Sequence, residues 1–423
     1  MALTLGSVSK LFTIEVFEEV VRRALEADGR PAGLKVVGHS VELGADKGTG
    51  YLGVVYRIRV QLSDGSELSL IAKGMPENVV RRKTFRCNYY FKKEVFFFTK
   101  VAPMFREFEL KQRGVEKVAM NTFLPIARCY HAVSDGENDF LVFQDLKTLG
   151  YEMTDRVSGP TVAQRRGLLH TLARFHALSY GLLGLEPEEF TPVAEAIPET
   201  WFSEPLLAPI YEDYMFKLYN IWKRALQDEL QGTDYWRKFL EFGPDAKKLF
   251  ENMCDSKRHI GPAVINHGDA WSTNFLFGQQ DEIMMIDFQI LRHASPMTDV
   301  SIFIFSCTTE EQRADAGGVL AILDDYYQVL CRSVKELGLD ECPLSWEQLL
   351  EQWRVNGQLG FSSALELVLL SVVETEDVQD LDRIDGNEPV PLVDITQFKD
   401  VSDPEGRKRL ADLTRLAADF GMI

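Results

Sequence analysis

Apolar positions change their period several times along the chain. Between residues 13 and 28, Phe17, Val20, Val21, Ala24 and Leu25 recur at helical spacing and predict an amphipathic lead helix. After Pro31 and Gly33 the pattern becomes extended. Residues 34–41 and 51–60 are rich in branched and aromatic side chains, and residues 68–72 follow an Asp64-Gly65 turn. Residues 85–101 read as a helix with Phe91, Val95, Phe96 and Phe98 on its apolar face, and the basic run Arg81, Arg82, Lys83 and Arg86 just before it reads as a solvated loop. Residues 126–133 and 140–143 are two more strands. From about residue 160 the period is helical, with Pro160 suited to a first turn and Leu168, Leu169, Leu172, Ala173, Phe175 and Ala177 following. Further helical stretches at 204–230 and 235–256 lead to a short strand-turn-strand region. Beyond it, residues 300–305, 316–337, 346–374 and 407–420 are helical again. The pattern predicts an α+β chain with a small β-rich lobe over residues 1–146 and a larger helical lobe over 147–423. No internal repeat or low-complexity linker interrupts it.

Composition narrows the functional classes. A chain of 423 residues exceeds one small core, and 45% hydrophobic with 26% charged residues is ordinary for a globular protein. A net charge of -18 leaves nothing to neutralise a phosphate backbone in bulk, so no nucleic-acid partner is expected. The first residues lack a basic stretch followed by an apolar run, and the run at 365–373 is too short to span a bilayer. The six cysteines show no CxxC pair and read as free thiols. The expectation is a cytoplasmic protein without membrane insertion.

Candidate chemistry centres on residues 264–289. A short apolar strand meets a polar turn, His267-Gly268-Asp269, with Asn274 five positions after the aspartate and Asp287 a hairpin's length further on. A carboxylate, a carboxamide and a second carboxylate in that order suit phosphoryl transfer, in which one acid handles a hydroxyl proton and the other two groups hold metal. The alternative for the turn alone is an Asp-Gly bend capped by Asn274. Upstream, Gly48, Thr49, Gly50 and Gly53 belong to a G-x-G-x-x-G-x-V run between two predicted strands. That context fits a phosphate-covering loop rather than a dinucleotide fingerprint, which must open a helix, although an ordinary glycine-rich hairpin also fits. Lys73 ends the next strand, and Glu94 on the following helix is the carboxylate placed to aim it; Glu107 and Glu109 lie beyond Pro103 and are poorer candidates. Gln144, Asp145 and Leu146 follow the last strand of the small sheet. His170 and His176 read as packed or hydrogen-bonded rather than catalytic.

This order of glycine loop, Lys73, Glu94, Asp269, Asn274 and Asp287 resembles the bilobal protein-kinase fold. Gly268, where protein kinases usually carry Arg, looks like the aminoglycoside and choline kinase branch. HGDxWxxN at 267–274, IDFQ at 286–289, residues 292–299, 142–146 and 172–177 resemble the ecdysteroid kinase-like family over roughly residues 35–340. Gln144 departs from the Glu common in related families. The resemblance implies an ATP-dependent, Mg2+-requiring transfer to the hydroxyl of a small acceptor, such as a steroid or xenobiotic alcohol. It implies Asp269 as catalytic residue, Asn274 and Asp287 as metal ligands, and Gly48, Thr49, Gly50, Gly53, Lys73, Glu94, Gln144, Asp145 and Leu146 as the nucleotide site. His267 and Asp299 would support the catalytic loop, and Trp271 either faces the acceptor or packs the loop. Only residues 288–298 separate Asp287 from Asp299, with no A-P-E platform, so a protein substrate is not expected. Two alternatives stand beside this reading: a catalytically silent nucleotide-binding regulatory protein, and a choline- or aminoglycoside-type kinase with a polar acceptor. A large apolar cleft at Asp269 would suit a sterol; a cage of acidic or aromatic residues would suit an amine.

Overall fold

A computed structural model describes residues 2–31, 33–44, 52–114, 122–154, 159–198, 204–255, 261–372, 385–395 and 398–423. Five strands, β1 (Val36–Leu43), β2 (Val54–Leu62), β3 (Glu67–Gly74), β4 (Cys129–Val133) and β5 (Phe140–Gln144), make one antiparallel sheet in the order β1-β2-β3-β5-β4. Alternate positions of β2 and β3 are buried: Tyr56, Ile58, Val60 and Leu62, then Leu68, Leu70 and Ala72. They pack in one cluster with Phe17, Val20, Val21, Ala24 and Leu25 of the lead helix Ile14–Ala27. Each such side chain contributes roughly 1.5–3 kcal/mol of burial, which fixes the strand register. The opposite face then carries Arg57, Ser69, Ile71 and Lys73, because side chains alternate along a strand. This face closes on the helical lobe.

The helix expected over 85–101 is divided. Val79–Thr84 is a helix of its own, Arg86 turns through a left-handed conformation (φ 49°), and Cys87–Phe96 carries Glu94. A π-helical turn, Phe97–Val101, then passes into Ala102–Arg113, so the helix runs on past Pro103. The wider turn ends where proline's missing N–H falls, in the first turn of the next segment. The basic run expected as a solvated loop is therefore helical, with Arg81 buried.

In the larger lobe, the helix Val162–Leu185 is buried along most of its length and packs on Val319–Glu336 and Met297–Cys307. Met297–Cys307 packs in turn on Gln358–Val372. The stretches expected at 235–256 and 346–374 are each two helices, Asp234–Phe242 with Ala246–Asp255 and Trp346–Asn356 with Gln358–Val372. Pro187–Glu195 is a helix that the periodicity did not reveal. Two small ladders lie between the lobes' helices: β6 (Val264–Asn266) pairs with β9 (Arg292–Ala294), and β7 (Phe275–Phe277) pairs with β8 (Ile283–Met285). One apolar cluster joins Phe91, Phe97, Leu141 and Phe143 of the sheet side to Phe175 and Phe288 of the helical side. Among the described residues no helix is long and apolar enough to cross a membrane. Cys87, Cys129, Cys307, Cys331 and Cys342 are free thiols.

Candidate active site

Lys73 leaves β3 toward the helical lobe, with its register set by pairing to Val55 and Leu141. Its Nζ donates to Glu94 Oε2 and to Asp287 Oδ1, both at 2.8 Å. Burial works to lower the lysine's pKa, and the charges of Asp287 and Glu94 outweigh it, so the ammonium is held. Burial lifts the fully enclosed Glu94 carboxyl above its ordinary range, while the lysine's charge draws it down. Two carboxylates from opposite lobes thus share one ammonium.

Asp287 sits in left-handed backbone (φ 66°, ψ 67°), which swings its side chain back toward Lys73 as the chain passes into Phe288. The Phe288 ring stacks on Phe97 at 3.6 Å between centroids and 7° between planes, and lies 4.6 Å from the His267 ring. Phe97 belongs to the π-helical turn directly after the Glu94 helix. The stacking therefore ties the positions of Glu94, Asp287 and the His267 turn to one another.

The turn after β6 is held from below. Backbone N–H groups of His267 and Gly268 donate to Asp299 Oδ2 and Oδ1 at 2.7 and 2.8 Å. His176 Nε2 lies 3.1 Å from Asp299 Oδ2, and Tyr326 Oη is 2.8 Å from His176 Nδ1. Burial raises the Asp299 pKa, but His176, His267 and the Gly268 N–H outweigh it and hold the carboxylate ionised. Gly268 has φ 86°, and a Cβ there would lie 1.8 Å from the Ile290 carbonyl oxygen, so no other residue fits. His267 Nε2 donates to Ile286 O at 2.9 Å, and burial lowers the ring's pKa; the neutral ring then presents Nδ1 to the Asp269 N–H at 3.4 Å.

Asn274 Nδ2 donates to the Asp269 carbonyl at 2.9 Å and to Asp269 Oδ2 at 2.8 Å. Its nitrogen is thereby committed and its amide oxygen is left for another partner. The Ile286 N–H donates to the Asn274 carbonyl at 3.0 Å, one rung beyond the β7–β8 ladder, which brings Asn274 and Asp287 to neighbouring strand ends. Burial pushes Asp269 up to about 7, with the charge of Asp287 adding to the rise, Asn274 opposing it, and Glu366 and Asp299 contributing smaller increases. An amide oxygen and a partly exposed carboxylate beside an ammonium suit a hard cation that keeps water and phosphate in its shell. Among the described residues no group of three or more His, Cys, Asp or Glu gathers into a closed metal cage.

Gly48, Thr49 and Gly50 lie outside the described residues. Gly53 is described, and a Cβ there would press on Lys73 and Phe91 at 3.2 Å. Arg81 donates to the Gly53 carbonyl at 3.2 Å, a contact that its place in a basic run did not announce. Asp145 does not face outward from the segment that follows β5. Its carboxylate accepts from Arg57 and Ser69 at 2.8 and 2.7 Å and caps Lys147, and the Gln144 N–H is already bonded to the Arg128 carbonyl at 2.9 Å. These bonds fasten the connecting segment to the sheet.

A five-stranded antiparallel sheet bearing a buried lysine, set over a helical lobe with an HGD turn and an aspartate-ended hairpin, defines a kinase-like phosphotransferase fold. The chain belongs to the ecdysteroid kinase-like family, whose model matches residues 47–339. Among solved structures it is similar to an ethanolamine kinase from Plasmodium vivax, at 11% identity over 88% of this chain and 89% of that one, with a TM-score of 0.40. It is also similar to spectinomycin phosphotransferase APH(9)-Ia in complex with ADP and spectinomycin, at 12% identity over 95% and 98% of the two chains, with a TM-score of 0.41. A macrolide 2'-phosphotransferase from Brachybacterium faecium is similar at 11% identity over 85% and 94%, with a TM-score of 0.34. No curated protein matches the chain.

Proposed function

We propose that the protein is an ATP-dependent kinase that phosphorylates a hydroxyl group of a small organic acceptor. The observation that carries this reading is the sharing of Lys73 between Glu94 and Asp287 beside the Asp269–Asn274 pair. The lobes divide at residues 146 and 147, with the nucleotide between them. Lys73, aimed by Glu94, binds the α and β phosphates, exchanging its bond to Asp287 for phosphate oxygens. The backbone from Gly48 to Gly53 covers the phosphates. The connecting segment of Gln144, Asp145 and Leu146 meets the adenine edge through its backbone, Asp145 acting through its bonds to Arg57 and Ser69. Asn274 through its amide oxygen and Asp287 through its carboxylate would hold Mg2+, which supplies positive charge to the transferring phosphoryl group.

Asp269 orients the acceptor hydroxyl and takes its proton as the oxygen–phosphorus bond forms and the bond from the γ phosphorus to its bridging oxygen breaks, leaving ADP. Asn274 holds the carboxylate toward the reacting oxygen. Asp299 and His267 keep the turn in shape and do no proton chemistry. Steroid and xenobiotic alcohols are the first acceptors to test. Purified protein with Mg-ATP and such a panel should give a phosphorylated product by mass spectrometry, and Asp269→Asn should remove it. Product formed equally by the Asn variant would defeat the assignment.

A further inference from the structure

One carboxylate near Asp269 takes no part in the chemistry above. Glu366 lies half-buried on the helix Gln358–Val372. Tyr214, from the helix Glu204–Leu230, donates to its Oε1 at 2.7 Å. Tyr211, one turn earlier, meets the Tyr214 ring edge-on with centroids 6.0 Å apart. The Tyr211 hydroxyl is coupled electrostatically to that of Tyr90, which stands one turn before Glu94 on its helix. The charge of Glu366 is felt at Asp269, Tyr90 and Tyr211. The charge of Glu366 thus links the Asp269 turn, the Glu94 helix and the helix Glu204–Leu230.

Among the described residues Glu366 has one hydrogen-bond partner, a neutral phenol, and no Lys, Arg or His pairs with it. Burial without a counter-charge lifts its carboxyl above the ordinary range. A carboxylate withdrawn from water is stabilised by an opposite charge far more than by a neutral hydroxyl. An anionic acceptor would meet Glu366 and Asp269 together and be repelled.

We propose that Glu366, supported by Tyr214 and Tyr211, is a specificity-determining residue that receives a protonated amine of the acceptor, so that the molecule phosphorylated at Asp269 is an amino alcohol. The inference rests on the kinase reading above and narrows its acceptor class. Tyr214 holds one carboxylate oxygen in place and leaves the other for the ammonium. The amine binds in the ground state as well as during transfer, so its contribution appears in KM.

The test pairs charged and neutral acceptors. Choline is compared with its tert-butyl isostere, in which carbon replaces nitrogen, and larger amino alcohols with hydroxyl compounds of the same skeleton. Transfer from Mg-ATP is measured by mass spectrometry, and binding by calorimetry with a non-hydrolysable ATP analogue. Amino alcohols should bind at least about tenfold tighter than their neutral partners, and Glu366→Gln should raise their KM roughly ten- to a hundredfold while changing kcat far less. Tyr214→Phe, which keeps the charge, should raise KM only a few-fold. An unchanged thermal shift with Mg-ADP shows that the variants are folded. Equal or better use of neutral alcohols, polyhydroxylated steroids included, or a Gln variant with unaltered KM, overturns the inference. Transfer to neutral alcohols that Asp269→Asn abolishes would remove the amine and leave the kinase standing. Glu366-dependent binding of amino alcohols without any product would do the reverse.

Discussion

Two polar groupings beside Asp269 are built differently. On the phosphate side, Lys73 is held by two carboxylates, Asn274 binds Asp269 twice, and Asp299 grips two consecutive backbone N–H groups. On the proposed acceptor side, Glu366 has one hydrogen-bond partner among the described residues, Tyr214. Under the proposed function, the phosphate side is organised in advance because its ligand is the same for every acceptor, and preformed dipoles cost no rearrangement at the moment of reaction. In the proposal, the entering ammonium completes the bonding of Glu366.

The contrast can be broken from either grouping. Asp269→Asn should lower kcat roughly a hundred- to ten-thousandfold while Mg-ATP still shifts the melting temperature, a loss confined to chemistry. Gly268→Ala should cost about 3 kcal/mol or more in stability by denaturant titration, because the new methyl group meets the Ile290 carbonyl in a backbone conformation that strains any L residue. Glu94→Gln leaves Lys73 bound to Asp287 alone; kcat/KM for ATP should fall about ten- to a hundredfold with acceptor KM little changed.

The pH dependence sharpens the same point. Asp269 must be ionised to take a proton, and burial places it at about 7 in the free enzyme. The kcat/KM profile should therefore fall about tenfold per unit below that pH and level off above it. The sign for stability is opposite. A carboxyl raised from 3.8 to about 7 by folding opposes the folded state once ionised, so stability is lost as pH rises through that window. The melting temperature of Asp269→Asn should exceed that of the natural protein by a margin that grows from about pH 4 to pH 7 and then holds, a smaller effect than the catalytic one.

The grouping of Lys73, Asp269, Asn274 and Asp287 was legible in the sequence because most of it lies in one short stretch. His267 to Asn274 is one turn, Asp287 ends the adjoining hairpin, and Lys73 ends the strand that follows the glycine run. The grouping around Glu366 was not. The helix of Glu366 is visible as a period, but which of its polar residues meets Tyr214 depends on how Gln358–Val372 rotates against Met297–Cys307. The break at Arg86 and the π-helical turn were hidden for the same reason, since Phe97 takes its place by stacking on Phe288, far away in the chain. Arg81 looked like one more solvated charge, and its bond to the Gly53 backbone carbonyl leaves no trace in side-chain pattern. Contacts made within one turn or hairpin can be read from spacing; contacts made between distant elements need the fold.

The central claim is that Lys73, Asn274 and Asp287 converge on one bound nucleotide. A crystal structure with Mn2+ and a non-hydrolysable ATP analogue tests it most directly. The claim predicts an anomalous peak between the Asn274 amide oxygen and the Asp287 carboxylate, with Lys73 Nζ moved from Asp287 onto phosphate oxygens and still bonded to Glu94. A nucleotide bound elsewhere, or metal density away from both residues with Lys73 still on Asp287, would contradict it.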